Sequence, residues 1–272
     1  MTYQAETKSM ALICEFENIA LGVRDANYAQ FNIDHVMERL LLKGNIVVKK
    51  AYCDWERYKE FKKAMHEASF ELIEIPHVRQ AGKNSADIRM VVDALDLCYT
   101  KGHVDTFVII SGDSDFSPLV SKLRENNKIV IGVGVKNSTS DLLIANCDDF
   151  IFYDDLVRPQ APRPKTGGSA AGRKPSRGPA EKAKPAGDKK REAWDLVVKT
   201  YEALVEERGE GEKIWGSMIK QTLKRRKPGF SESYYGFKSF GQLLEEAETQ
   251  GILQLERDEK SGGFILRGCH VI

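Results

Sequence analysis

The segment "VDTFVIISGDSDFSPLVSKLREN", residues 104–126, decides the fold class of this chain. An almost continuously apolar run, residues 104–111, leads through a short polar turn into residues 115–126, whose apolar positions have helical spacing. The run predicts a strand buried on both faces, and the periodicity after it predicts a helix packed on the sheet. Residues 128–135 predict the next strand, so the segment forms one strand-helix-strand unit of a parallel sheet.

The same alternation of strand and helix continues on both sides of this unit. Further strands are predicted at residues 10–16, 45–53, 70–75 and 149–154. Helices are predicted between the strands at residues 34–43, 56–68 and 85–100. Strands that alternate with helices form parallel sheets covered on both faces, so residues 8–157 are predicted to be one α/β domain.

A smaller domain is predicted at residues 191–268. Apolar periodicity predicts three helices in it, followed by a hairpin around a Ser-Gly-Gly turn, which is the outline of a small winged helix. The helices are expected at residues 191–207, 214–230 and 239–250, and the hairpin at 251–268.

Residues 158–190 are predicted to be a disordered linker between the two domains. This segment holds six of the nine prolines and no aromatic or large aliphatic residue, so it cannot form a core. The formal net charge of +1 is unevenly distributed, because residues 1–157 carry −6 and the linker carries +8. Such a basic stretch is expected to hold a polyanion by releasing counterions from its phosphates.

Composition indicates a globular protein of the cytoplasm. No apolar run approaches the roughly 18 residues of a membrane span, and the N-terminus lacks the pattern of a signal peptide, so no membrane contact is expected. Five cysteines are scattered without a CxxC pair, which fits a reducing compartment and indicates neither a zinc site nor a disulfide framework.

Polar side chains follow two of the predicted strands at the point where each strand ends. Glu15, Glu17 and Asn18 lie at the carboxyl end of the first strand, and Asp113 and Asp115 follow the strand at residues 104–111. If these strands are neighbours, as in the usual doubly wound order, the side chains face each other at the carboxyl edge of the sheet.

A further carboxylate, Asp87, stands near the start of the helix predicted at residues 85–100. Helix N-termini lie at the same edge of the sheet as the carboxyl ends of the strands. Converging carboxylates repel one another unless a cation lies between them, and Mg²⁺ prefers oxygen ligands. The constellation therefore predicts a metal site suited to phosphoryl chemistry.

Some of these carboxylates have an alternative structural role. Asp115 or Ser117 would then cap the helix that follows, and Asp87 would favour the dipole of its own helix. Glu15 and Asp113 stand at the ends of apolar strands, and no capping role is predicted for them. An acid buried there without a partner is costly, which favours a role in the site.

The chain resembles the NYN domain of the LabA-like group, part of the PIN-like nuclease class. The resemblance covers residues 8–157 and rests on "ALICEFENIA", "GKNSADIRMVVDALDLC", "TFVIISGDSDFSPLVSKLRENNKIVIGVG" and "STSDLLIANCDDFIFYDDL". In the smaller domain, "KIWGSMIKQTLKRRKPGFSESYYGFKSFGQLLEEAE" is similar to the OST-HTH or LOTUS domain, a winged-helix module associated with RNA binding.

The resemblance implies a hydrolase that cleaves RNA phosphodiesters with Mg²⁺ or Mn²⁺. The implied catalytic and metal-binding residues are Glu15, Asp87, Asp113 and Asp115, with Asn18 beside them. Ser111, Ser117 and Lys83 border the site and are supporting candidates for contacts to phosphate; the alternatives are turn stabilisation by the serines and a solvated surface lysine. In the LOTUS domain, a basic cluster is predicted to bind RNA, with favourable charge-dipole placement at a helix C-terminus as the alternative; its members are Lys220, Lys224, Arg225, Arg226 and Lys227. RNA, a second copy bound through the NYN domain and a protein partner of the LOTUS domain are the implied partners.

One residue departs from the family pattern. The first acidic position is usually aspartate, and here it is Glu15. Its extra methylene moves the carboxylate by about an ångström, a displacement that metal catalysis often does not tolerate. The alternative to a ribonuclease is therefore a non-catalytic RNA-binding or adaptor protein with a degenerate acidic pocket.

Overall fold

Six parallel strands flanked by helices form the larger of two compact units in this computed structural model. The structure describes residues 8–75, 85–157, 186–209, 212–258 and 262–269. Of the predicted linker, residues 158–185 lie outside the described residues. Residues 186–190 are helical, because the long helix of the second unit begins at Ala186, five residues before its predicted start.

The elements of the first unit follow the predicted order. The strands are β1 (Ser9–Glu15), β2 (Asn45–Cys53), β3 (Glu71–Glu74), β4 (Thr106–Ile110), β5 (Ile129–Gly134) and β6 (Asp149–Phe152). The helices are α1 (Phe16–Asp25), α2 (Ile33–Leu41), α3 (Lys59–Glu67), α4 (Ser85–Thr100), α5 (Ser117–Glu125), α6 (Asp141–Asn146) and α7 (Tyr153–Val157). Short 3₁₀ helices stand at Ser114–Phe116 and Lys136–Ser138.

The sheet has the order β3-β2-β1-β4-β5-β6, and every neighbouring pair is parallel. The predicted α/β class is confirmed, and the topology is consistent with a PIN-like fold. The first and fourth strands are neighbours, with Cys14 paired to Ile110. The next residues along each strand, Glu15 and Ser111, therefore meet at the carboxyl edge, where the strand order reverses direction.

The continuous apolar run of β4 is explained by burial on both faces of the sheet. Val108 and Ile110 belong to the core on one face, and Phe107 and Ile109 belong to the core on the other. All four are fully buried. Because burial of one such side chain contributes about 1.5–3 kcal/mol, this strand is fixed at the centre of the sheet.

Helix α1 is absent from the sequence prediction. It begins directly after β1, and its buried residues Phe16, Ile19, Ala20 and Val23 have helical spacing. Phe16 also continues the apolar run of β1, so the apolar pattern predicts a strand through this residue. The chain instead turns from strand to helix at Glu15, without a loop, so that Glu15 lies at the junction.

The second unit has the predicted three helices and terminal hairpin, with one additional strand. Its elements are α8 (Ala186–Arg208), β7 (Ile214–Trp215), α9 (Gly216–Arg226), α10 (Phe240–Thr249), β8 (Leu253–Arg257) and β9 (Phe264–Cys269). The predicted helix at 214–230 is shorter, because its first two residues pair with β9 in a sheet of order β7-β9-β8. None of the described helices has the length and apolarity that a membrane span requires.

Candidate active site

Ser111 connects the ends of β1 and β4. Its side chain is fully buried, and its hydroxyl donates a hydrogen bond of 2.5 Å to Glu15 Oε2. Ser111 Oγ also accepts a hydrogen bond of 3.0 Å from the backbone N–H of Asp113. One serine therefore joins the carboxyl group after the first strand to the turn after the fourth strand.

Asn18 and Gly112 hold the same turn from the other side. Asn18 Oδ1 accepts a 2.9 Å hydrogen bond from the backbone N–H of Gly112, whose carbonyl accepts one from Ser140. A Cβ at residue 112 would lie 2.5 Å from the backbone oxygen of Ser138, closer than real contacts allow. A glycine is therefore required between Ser111 and the first aspartate of the turn.

Asp113 has a structural role that the sequence prediction denied. Its Oδ1 accepts a 3.0 Å hydrogen bond from the N–H of Asp115 and so caps the 3₁₀ helix Ser114–Phe116. The prediction that Asp115 or Ser117 caps the following helix is also wrong, because the N-cap of α5 is Phe116, without a side-chain hydrogen bond. Because a 3₁₀ helix lies between β4 and α5, the residue whose side chain acts as a cap is Asp113, close to the end of the strand.

Four carboxylates interact electrostatically at this edge. Burial raises the pKa of Glu15 to about 8; the Ser111 hydrogen bond opposes this shift, and repulsion from Asp87 and Asp113 adds to it. The pKa of Asp87, in the first turn of α4, is raised by burial and then by repulsion from Asp113 and Asp115. The structure thus brings the four predicted acidic residues to one edge of the sheet.

The donor set suits a hard divalent cation in its chemistry. The side chains supply oxygen donors, and a cation would relieve the repulsion that raises these pKa values. Within the described ranges, no three His, Cys, Asp or Glu side chains stand close enough together to hold a metal ion. Mg²⁺ fits this arrangement, because it is usually held by one or two carboxylates and keeps several waters.

The remaining predicted site residues differ in their outcome. Lys83 lies outside the described residues. Ser117 is buried, and its hydroxyl is among the described buried polar atoms that have no hydrogen-bond partner. Glu17, which the sequence placed at this edge without assigning it a role, accepts a 3.2 Å hydrogen bond from Arg57 and contributes to the repulsion on Glu15. It lies in the first turn of α1.

The predicted RNA-binding residues lie on the last two turns of α9 and just after it. Arg225, Arg226 and Lys227 are exposed. Lys220 forms an ion pair of 2.8 Å with Glu232, so part of its charge is already compensated. Of the aromatic residues that follow, Phe237 and Phe240 are buried, which leaves them no surface for base stacking.

Comparison with known proteins identifies the family to which the first unit is similar. The family described as NYN domain matches residues 9–154, more than half of the chain. The chain belongs to the NYN domain family. Membership implies a function related to nucleases and RNA, and the site lies inside the matched region.

Two similar proteins carry no assigned activity. The uncharacterized protein MJ0482 of Methanocaldococcus jannaschii is 31% identical over 125 residues, which cover 45% of this chain and 48% of that protein. The chain therefore spans about half the length of this curated relative. A crystal structure of a protein of unknown function, VPA0982 from Vibrio parahaemolyticus, is 25% identical, with a TM-score of 0.50. It covers 57% of this chain and 98% of its own, which supports the fold of the NYN unit.

Proposed function

We propose that this protein is a metal-dependent ribonuclease that hydrolyses RNA phosphodiesters at the carboxyl edge between β1 and β4. The observation that supports this most strongly is the mutual repulsion of carboxylates that come from a strand end, a turn and a helix start. Such an arrangement is unfavourable in an isolated protein and becomes favourable when a cation and a phosphate bind there.

The carboxylates have distinct roles in the proposed reaction. Glu15 and Asp113 would hold a Mg²⁺ or Mn²⁺ ion, and Asp87 and Asp115 would hold a second ion or orient the attacking water. When bound, the ion supplies Lewis-acid polarisation of the phosphate and a lower pKa for a bound water. Water attacks the phosphorus in line, and the 3′ oxygen leaves.

The neighbouring polar groups position these carboxylates. Ser111 donates to Glu15 and fixes the orientation of its carboxyl group. Asn18 holds the backbone of Gly112 and thereby the turn that carries Asp113. Lys83 and Ser117 complete the proposed set, Lys83 as a contact to the substrate phosphate and Ser117 as a donor to it.

The C-terminal unit is proposed to be a LOTUS domain that captures RNA together with the basic linker. Its three helices and terminal hairpin support this assignment, as do the exposed Arg225, Arg226 and Lys227. The proposal also includes a second copy bound through the NYN domain, a protein partner of the LOTUS domain and a cytoplasmic location.

A second candidate function is a non-catalytic RNA-binding or adaptor protein. The state of Glu15 favours it, because a carboxyl group with a pKa of about 8 is mostly protonated at neutral pH. A protonated carboxylic acid is a poor metal ligand, and the hydrogen bond from Ser111 occupies one of its oxygens.

The test is cleavage of labelled single-stranded and structured RNA by the full chain with Mg²⁺, Mn²⁺ or EDTA. Wild type, Glu15→Asp and Asp113→Asn are purified in parallel. The ribonuclease proposal expects metal-dependent cleavage by wild type and its loss in Asp113→Asn, because asparagine keeps the cap but loses the charge. Cleavage that appears only in Glu15→Asp decides for the degenerate pocket, and equal cleavage by wild type and Asp113→Asn contradicts the site.

A further inference from the structure

The outer face of α4 carries an exposed apolar stripe. Ile88, Val92 and Tyr99 are 63%, 56% and 65% exposed, and Leu95, which is half-buried because it also packs against the core, lies beside them. A surface helix of a globular protein normally places charged or polar residues on its outer face. The stripe is therefore a surface that a partner would cover.

The opposite face of α4 already packs on the sheet. Met90, Ala94, Leu97 and Cys98 are buried in the core on that side. Helix α4 is thus apolar both toward the sheet and along the exposed stripe, and among the residues that the structure describes only the side toward the sheet is covered. An exposed apolar stripe of this kind marks an interaction surface, which indicates that a partner covers it in the functional assembly.

The spacing of the exposed stripe is that of a coiled-coil seam. Successive members of the stripe, from Ile88 to Tyr99, are four, three and four residues apart. This repeat of 3.5 residues keeps the stripe on one side of a helix that pairs with another helix, with Ile88 and Leu95 at d positions and Val92 and Tyr99 at a positions. The occupant that fits best is therefore a second helix.

The charges beside the seam identify that second helix as another α4. Arg89 and Asp96 each follow a d position, so both are e residues on the same side of the seam. In an antiparallel pair of helices centred between Val92 and Leu95, e residues of the two copies face each other. Arg89 of each copy therefore faces Asp96 of the other copy, so this contact occurs twice in the pair. The face is self-complementary, as a twofold interface requires.

Both charged residues are accessible for this pairing. Asp96 is exposed, and the Arg89 side chain is 60% exposed. Within the chain, Arg89 contacts Asp93 through Nε, at 3.1 Å from Oδ1. Arginine has five N–H donors in a planar fork, so this bond leaves donors for a second carboxylate.

We propose that the outer face of α4 is the interface of an antiparallel homodimer of this chain. Ile88 packs on Tyr99 of the second copy, and Val92 packs on its Leu95. Because α4 has 16 residues and rises about 1.5 Å per residue, the two copies of Asp87 lie on the order of 20 Å apart. The dimer thus presents two acidic sites at opposite ends of the seam, and it forms whether or not these sites cleave RNA.

The first test is sedimentation of the full chain over a range of micromolar concentrations. Wild type is expected to change from the mass of one chain to that of two as the concentration rises. Val92→Arg places a charge at the centre of the seam and is expected to weaken dimerisation by about tenfold or more. Leu142→Arg is the matched control, because Leu142 is 57% exposed on α6, outside the seam, and should leave the dimer unchanged.

The second test exchanges the charges. Arg89→Asp and Asp96→Arg are each expected to weaken the dimer, and the double variant should restore it. Residues 89 and 96 are seven positions apart in one helix, about 10 Å, so rescue requires contact between copies. Wild type that stays monomeric, a dimer that survives Val92→Arg, or a double variant weaker than both single variants overturns the proposal.

Discussion

Two clusters of like charge lie in different surroundings, one at the carboxyl edge of the NYN sheet and one at the end of α9. At the acidic edge, Glu15 and Asp87 are half-buried, and burial is the first cause of their raised pKa values. At the basic end, Arg225, Arg226 and Lys227 are exposed to solvent. Water and salt screen the charges of the second cluster from one another.

The difference shows what each cluster can do. A partly buried set of like charges favours uptake of protons or of a counter-ion, which suits a site that binds a cation. An exposed set stays charged at little cost and can exchange its counterions for a polyanion. The following predictions test this contrast, beginning with the largest expected effect.

Asp113→Asn and Asp113→Ala separate charge from capping at the acidic edge. Both variants are expected to lose metal-dependent RNA cleavage by at least about a hundredfold, because both lack the negative charge. Only Asp113→Ala also loses the hydrogen bond from Asp115, which lowers the free energy of unfolding by about 1 kcal/mol. Initial cleavage rates and urea unfolding measure the two effects, and equal stability losses in both variants would contradict the capping role.

Glu15→Gln tests the burial of charge. The pKa of Glu15 is raised from 4.5 to about 8, so the folded state binds a proton more tightly than the unfolded state. Wild-type stability therefore falls as the pH rises from about 5 to 8, whereas glutamine is neutral throughout. Glu15→Gln should gain stability over wild type by on the order of 5 kcal/mol at pH 9, and this gain should disappear by pH 4.

Glu56→Gln is the matched control for that measurement. Glu56 is exposed, and the hydrogen bond from Lys62 lowers the pKa of its carboxyl group. The direction of linkage is therefore opposite, and this variant should gain no stability over wild type at high pH. Urea midpoints at several pH values, without added metal, measure both variants. A difference in stability between Glu15→Gln and wild type that does not change with pH would contradict the burial of the Glu15 charge.

Gly112→Ala tests the backbone that supports the acidic edge. The added Cβ would meet the backbone oxygen of Ser138 at 2.5 Å, so the turn must shift. The free energy of unfolding is expected to fall by about 1–3 kcal/mol. Gly102→Ala is the control, because a Cβ there has no neighbour within 4 Å. Thermal unfolding of the two variants compares them, and similar stabilities would show that the turn is not closely packed.

Charge reversal at the basic end should have the smallest effect. Arg225→Glu with Arg226→Glu is expected to weaken RNA binding by about tenfold and to lower the salt dependence of binding by about one unit for each phosphate that is no longer neutralised. Lys101→Glu, an exposed charge on the first unit, serves as the control. Filter binding at several salt concentrations measures the affinities. RNA binding that is insensitive to the double reversal would rule out this surface.

Much of the fold was predictable because its signals are local. The strand at residues 45–53 and the helix at residues 85–100 have the predicted bounds, and the other strands differ by one or two residues at their ends. The ion pair between Arg89 and Asp93 joins residues four positions apart on α4, a spacing that is visible in the sequence. In each case the apolar pattern or the charge spacing acts within one element.

Other features depended on packing that a local pattern does not contain. The start of α1 was missed because Phe16 satisfies both a strand and a helix pattern, and only packing against Phe31, Trp55 and Phe61 distinguishes them. The capping role of Asp113 was missed because it requires the 3₁₀ turn that separates β4 from α5.

The sequence by itself determined the alternation of strands and helices, the division of charge along the chain and the residue types at the strand ends. The tertiary structure decided which of these ends meet. Glu15 and Ser111 are 96 residues apart in the chain, and their hydrogen bond exists because β1 and β4 pair at the centre of the sheet. Apolar periodicity acts over a few residues, whereas strand order and the burial that shifts the pKa of Glu15 arise only when distant segments pack together.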